Sequence, residues 1–337
     1  MEDPATGRLG EPESGKPDEP AADRPDENTA GRPKELAVDR PDGPAASMPD
    51  ENAALLKKES RLKEVWDLLR QDKAAMAGLA IIAFLLFVAL FGKFIMPYDP
   101  YESSMADNFQ TPGTAHWFGT DDLGRDILSR IIDGAKISLR IGVIAVAAAL
   151  LIGTFLGCIA AFYGKIADIA IMRFMDIMLA IPDILLAIAI MTALGPGIEK
   201  AIIAITFVTI PQYARIVRGS ILSVKENDYV DAARIVGNKD SRVLFVHILP
   251  NCLSPLIVRS TLGVSTAILD AAALGFLGLG VKPPLAEWGT MLGSGRQFIF
   301  NAPHILLFPG LAITITVIAF NLLGDGLRDA LDPKNRK

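Results

Sequence analysis

The side chains that could do chemistry in this 337-residue chain are ionisable groups set inside or beside long apolar runs. Arg173 and Asp176 stand three residues apart in one such run, so a helix places them on one face, where they can form a structural pair or part of a gate. Asp183 follows Pro182 in the same run. Proline removes a backbone donor and kinks a helix; an aspartate after it can cap the restarted half, or face water and meet a substrate amine. Asp270 lies in a later run. Ionisable groups at such depth are costly in lipid and are functional candidates by default.

Other chemistry finds little support. His116 with Asp121, Asp122 and Asp126 offers metal-ligand types, but acids at these places are better read as capping and solvating helix ends, so no metal site is assigned. Leu292-Gly293-Ser294-Gly295 comes near a serine-hydrolase motif with His304 as base, yet Leu292 holds the first glycine position and the stretch reads as a loop. No G-x-x-x-x-G-K-[ST] loop exists to cradle ATP, and no H-E-x-x-H binds zinc. Cys158 and Cys252 form no C-x-x-C pair, and no basic stripe interleaves with aromatics, so no nucleic-acid partner is expected. The chain is therefore not read as an enzyme, and it needs no cofactor of its own.

The elements that position these groups follow from hydropathy. The composition is 51% hydrophobic with a net charge of −5, averages that mix two materials. Residues 1–55 form an acidic, Pro-rich tail with too little apolar surface to order, and no basic segment with an apolar stretch at Met1 suggests a cleavable signal peptide. Residues 56–73 read as an amphipathic, basic helix lying on the cytoplasmic membrane surface, with Leu62, Val65, Trp66 and Leu69 on one side.

A first transmembrane helix is expected over 74–96, an external loop over 97–136, and a core of five further spans over 137–330. Those spans are placed at 137–163, 166–194, 198–217, 253–277 and 305–323. Gly142, Gly153 and Gly157 allow close helix packing in lipid, Gly278 and Gly280 a sharp exit, and Trp288 an interfacial anchor. The basic residues then collect on one side together with both termini, which the positive-inside rule makes cytoplasmic. The fold class is an all-α polytopic membrane protein with six transmembrane helices.

Between the fourth and fifth spans lies the long polar segment of the back half, 227–251, N-D-Y-V-D-A-A-R-I-V-G-N-K-D-S-R-V-L-F-V-H-I-L-P-N. It reads as two short helices. Asn227 or Asp228 caps the first, Gly237 ends it in a left-handed conformation, and Pro250 stops the second, whose inner face carries Val243, Leu244 and His247. Tyr229 opens the first helix, while Ala232 and Ala233 leave a flank that another protein can approach closely.

The run D-A-A-x-x-x-G…H-I-L-P-N resembles the E-A-A…G…I-x-L-P coupling loop of ABC importer permeases, with Asp231 in place of the usual Glu. H-W-F-G-T-D-D-L-G-R-D-I-L-S-R before the second long span, and F-L-G-L-G…P-P…E-W-G-T-M-L after the fifth, are similar to the oligopeptide/dipeptide/nickel branch. An acid in that branch usually sits one position later than Asp270, at Ala271. The resemblance covers roughly 60–330 and implies the second, C-type permease of such an importer, with the type I permease fold.

It further implies Tyr229, Asp231, Ala232, Ala233, Gly237, His247 and Pro250 as the ATPase-coupling surface, and Asp183 and Asp270 as candidates for the translocation path. Expected partners are a homologous permease, two ABC ATPases that hold ATP and Mg, an external substrate-binding protein and membrane lipid. The expected setting is a bacterial or archaeal cytoplasmic membrane. Peptides are the expected cargo, nickel the alternative.

Overall fold

The computed structural model describes residues 63–332. The expected disordered tail (1–55), the start of the surface helix (56–62) and the terminal bases Lys334, Arg336 and Lys337 lie outside the described residues. Helix runs from 63 to 71, where Leu69 is buried but Trp66 is 45% exposed. Asp72 then caps α1 (Lys73–Ile95) by accepting from the Ala74 and Ala75 amides at 2.8 and 3.3 Å.

The remaining long elements are α2 (Ile127–Tyr163), α3 (Lys165–Leu179), α4 (Asp183–Leu194) and α5 (Ile198–Lys225). After the polar hairpin come α7 (Leu253–Phe276), α8 (Trp288–Gly295) and α9 (His304–Leu331), with α6 (Asp228–Ile235) inside the hairpin. Among the described residues there is no sheet, only an isolated antiparallel bridge between Thr120 and Asp126. Five helical stretches among the described residues are long and apolar enough to cross a membrane, and α3 with α4 makes a sixth if the bent pair is one span.

Two expectations about boundaries need correction. α2 has 37 residues, about 55 Å of helix, and begins at 127 rather than 137. Arg130, Asp133 and Lys136 made its first three turns look like loop, whereas Asp126 caps them, accepting from the Ser129 amide at 2.8 Å. The third span is not continuous over 166–194: it breaks into α3 and α4, bent by 91°.

The core sits where α2, α5 and α7 meet. A Cβ on Gly153 would stand 2.5 Å from that of Tyr213, and one on Gly157 would stand 2.7 Å from the Ala214 carbonyl oxygen. Such close approach is how helices associate where apolar burial alone gives no drive. The apolar side chains that remain outward, such as Phe84, Leu90, Phe94 and Leu151, are the faces a bilayer covers.

The acids near His116 are tied up structurally. Asp126 Oδ1 stands 2.9 Å from His116 Nδ1, and Asp121 takes Arg125 Nε at 2.7 Å with Arg130 Nε at 3.6 Å. Trp288 is not an interfacial anchor; it is 1% exposed, and its Nε1 donates to the Ile131 carbonyl at 3.0 Å. Glu287 beside it caps α8, accepting from the Gly289 and Thr290 amides at 2.8 Å each. Ser294 lies in helix α8 rather than a loop, donating to Met291 O at 3.1 Å, while His304 Nε2 meets Thr120 O at 3.2 Å. Each is thus held by a backbone carbonyl, and the hydrolase reading has no nucleophile–base pair.

Candidate functional site

Two neighbouring features carry the site, a polar face on α3, α4, α5 and α7, and the hairpin that continues from α5. Pro182 sits at the bend as the residue before α4. It lacks the N–H that would continue the α3 ladder, so the last bonds of α3 come from Ala180 N to Asp176 O (3.0 Å) and Ile181 N to Met178 O (3.3 Å). Asp183 is the first residue of α4 and its side chain makes no capping bond. Its Oδ2 instead accepts from Gln212 Nε2 of α5 at 3.3 Å. The opposite end of that amide, Gln212 Oε1, is buried without a partner among the described residues. Asp270 is half-buried on α7 and lies within electrostatic reach of Asp183, while Ala271, the next position, is buried in the core.

Toward the C-terminal end of α5 the face becomes a set of ion pairs. Arg218 holds Asp168 with two bonds, Nε to Oδ1 at 2.5 Å and Nη2 to Oδ2 at 2.6 Å. Arg215 Nη2 donates to Asp176 Oδ1. Together with Met172, these arginines and Asp176 line a recess of about 370 Å³. The expected pair of Arg173 with Asp176 is not formed; Arg173 is exposed and has no ion-pair partner among the described residues. An acid C-terminal to its base is the weaker order along a helix, and Arg215 reaches the carboxylate from across the groove. Sequence reading missed Asp168, Gln212, Arg215 and Arg218 as a group. Their roughly three- to four-residue spacing on α5, at 212, 215 and 218, was the available signal.

Half-exposed ion pairs do not suit a lipid-facing surface. Asp176 and Arg215 side chains are 44% and 50% exposed, on helices otherwise dominated by apolar residues. In hydrocarbon each would carry a penalty of about 3 kcal/mol or more. The face that bears them is built to meet water or protein.

In the hairpin, Asn227 does not cap α6. Its Nδ2 donates to the Val224 carbonyl at 2.9 Å and so closes the end of α5. Gly237 ends α6 with φ at +88°, its amide donating to Arg234 O at 2.9 Å while the Asn238 amide reaches Ala233 O at 3.3 Å. This is the paired-bond helix stop that favours glycine. Val230 of α6 shares a core cluster with Val243, Leu244 and Ile248, and Ala233 is buried while Ala232 is exposed.

Asp231 is outward and pairs with Arg234 at 3.4 Å. Tyr229 is tied to the far end of the hairpin, its hydroxyl accepting from Asn251 Nδ2 at 3.1 Å. Asn251 also donates to the carbonyl of half-buried His247 at 2.8 Å.

Pro250 does not stop the second helix. From Asp240 the helix widens to a π turn over Val243–Ile248, tightens to a 3₁₀ turn over Leu249–Cys252 and runs on into α7. The change of register absorbs the donor that Pro250 lacks. The second arm of the hairpin is consequently a helical extension of α7, while the first arm, α6, joins α5 through a tight turn at Glu226–Asn227. Its tip carries two apolar side chains that sequence reading passed over, Ile235 and Val236, which are 86% and 83% exposed.

Residues 153–337 match the family model described as "Binding-protein-dependent transport system inner membrane component", and residues 60–112 match "N-terminal TM domain of oligopeptide transport permease C". A dipeptide transport system permease protein of Alkalihalophilus pseudofirmus is 50% identical over 272 residues, covering 81% of this chain and 90% of that relative. A di/tripeptide transport system permease protein of Pseudomonas aeruginosa is 50% identical over 282 residues, covering 82% and 93%. Among solved structures, an inward-facing MetNI methionine ABC transporter chain superposes with a TM-score of 0.51 at 19% identity, over 61% of this chain and 98% of that one. That likeness bears on the fold alone.

Proposed function

The chain belongs to the family of binding-protein-dependent transport system inner membrane components, and from that premise we propose that it forms half of a translocation path for di- or oligopeptides. It is a multi-pass permease subunit of an ABC importer and not an enzyme; such subunits work with a partner permease and with ATPases. We assign two ATPase subunits, carrying the ATP and Mg, to the side of the 227–251 hairpin, which makes both termini cytoplasmic. A second homologous permease covers the polar face of α3–α5, and a substrate-binding protein delivers cargo at the 97–126 side.

The observation that carries this reading is the half-exposed pair Asp176–Arg215 on apolar helices, continuous through Gln212 to Asp183. A lone bilayer cannot solvate that face, whereas the interface of two permeases around a water-filled path does. The hairpin supplies the mechanics. Because its second helix runs without a break into α7 and its first packs on that helix, a push on the Ile235–Val236 tip is passed to α7, which is how alternating access is driven.

The experiment is reconstitution of the chain with the permease, ATPase and binding protein encoded beside it, followed by ATP-dependent uptake of a radiolabelled dipeptide. Uptake that a hundredfold excess of nickel does not compete supports the peptide reading (on the order of complete discrimination between unrelated cargo). Nickel uptake without peptide uptake replaces it with the metal importer of the same branch.

A further inference from the structure

A pocket of about 530 Å³ opens where α1 ends, between its last turns, the segment 97–101 and the first turns of α2. Its polar lining is unevenly committed. The two carboxylates have donors: Tyr101 gives its hydroxyl to Asp133 Oδ2 at 2.5 Å and its amide to Asp99 Oδ1 at 2.8 Å. Burial and then Asp133 push that hydroxyl up to about 12, so it stays a donor at any physiological pH. The two cations have none. Lys93 and Lys136 are exposed and make no hydrogen bond or ion pair among the described residues.

The surroundings select a kind of ligand. Gly92 closes the floor, where a Cβ would come within 2.7 Å of Ile132, so α1 and α2 touch directly below the lysines. On the outer side of α1, Leu90 and Phe94 are 76% and 85% exposed, apolar side chains of a spanning helix that hydrocarbon must cover. The pocket therefore straddles the boundary between acyl chains and headgroups. Lysines near helix ends reach along apolar surface to that boundary. They also stand at the membrane side whose segment, 97–126, is mainly acidic, where orientation alone calls for no basic residue.

We propose that this pocket holds the phosphodiester headgroup of an anionic phospholipid, its phosphate between Lys93 and Lys136 and its acyl chains along Leu90 and Phe94. The lipid adds a further tie between the end of α1 and the start of α2, which already touch at Gly92 and are joined by the Tyr98 amide donating to Ser129 Oγ at 3.2 Å and by the Tyr101–Asp133 bond.

The test is native mass spectrometry of the assembled importer, titrated with phosphatidylglycerol and, in parallel, with phosphatidylcholine of the same acyl chains. One phosphatidylglycerol should bind with preference over phosphatidylcholine. A Lys93→Gln/Lys136→Gln double variant should weaken it roughly 25-fold, about fivefold per lysine, and Lys93→Arg/Lys136→Arg should restore it. Acetylation footprinting of the unaltered complex should find both lysines protected by phosphatidylglycerol, a readout that holds if the glutamine variant fails to assemble. Unchanged binding in the glutamine variant overturns the proposal. So does displacement by inorganic phosphate at concentrations equal to the lipid's, which makes this a free-anion site, or protection by a partner subunit in lipid-free complex.

Discussion

Arg218 of α5 grips Asp168 of α3 through two parallel bonds of 2.5 and 2.6 Å, and one turn earlier Arg215 takes Asp176 in the same direction. The broken third span is thereby latched to α5 by two rungs that cross between helices. Arg173, though nearer to Asp176 in sequence, stands outside the latch. A double-mutant cycle of Asp168→Asn with Arg218→Gln should give a coupling of about 1 kcal/mol in the thermal stability of the detergent-purified complex, modest because the pair is partly exposed. Arg173→Gln should leave that stability unchanged; an effect equal to that of Arg215→Gln would remove the distinction.

Asp183→Asn bears on the path itself. Asparagine keeps an acceptor for Gln212 but loses the charge, so helix α4 should persist while contact with a substrate amine weakens. Loss of a charge-assisted bond costs on the order of 1–3 kcal/mol, and uptake at subsaturating dipeptide should fall about tenfold with unchanged membrane levels. Full uptake would return Asp183 to a purely structural role.

Hydropathy alone outlines the spans, and Gly237 announces its own stop because few other residues accept a φ of +88°. Pro182 signals a kink, but neither its 91° size nor the α3–α5 ion pairs beside it, whose partners lie some forty to fifty positions apart, is contained in any local pattern. The early start of α2 hid behind its charges, since Arg130 and Asp133 are held by the folded segment before the helix rather than by water. Ile235 and Val236 were invisible as a tip because apolar residues on a short helix are ordinarily assigned to its packed face.

The segment at the far side of α2 has its own pH dependence. The folded value of Tyr101, about 12, lies above the 10.0 of a free phenol. Its contribution to stability is therefore complete below the free value and is lost as pH rises through the folded one. In an alkaline titration followed by tyrosinate absorbance, Tyr101→Phe should delete a step near the top of the range. Deletion of a step at the ordinary phenol value would show that Tyr101 is not held by Asp133.

Gly237→Val should separate hydrolysis from transport. A β-branched residue at this φ is strained by about 1–3 kcal/mol, with no neighbouring atom within 4 Å of the new Cβ to add a clash. The α6 stop should loosen while the spans remain folded, so that reconstituted complexes hydrolyse ATP but import several-fold less dipeptide per ATP. Import per ATP equal to that of the unaltered chain would count against a rigid hairpin.

Placing a photo-cross-linking amino acid at Val236, 83% exposed at the hairpin tip, interrogates the hand-over of work most directly. Irradiation of the assembled importer should yield one covalent adduct, with a nucleotide-hydrolysing subunit, and its yield should change when ATP is bound. Adducts only with lipid, with the second permease or with the external binding protein would contradict the account.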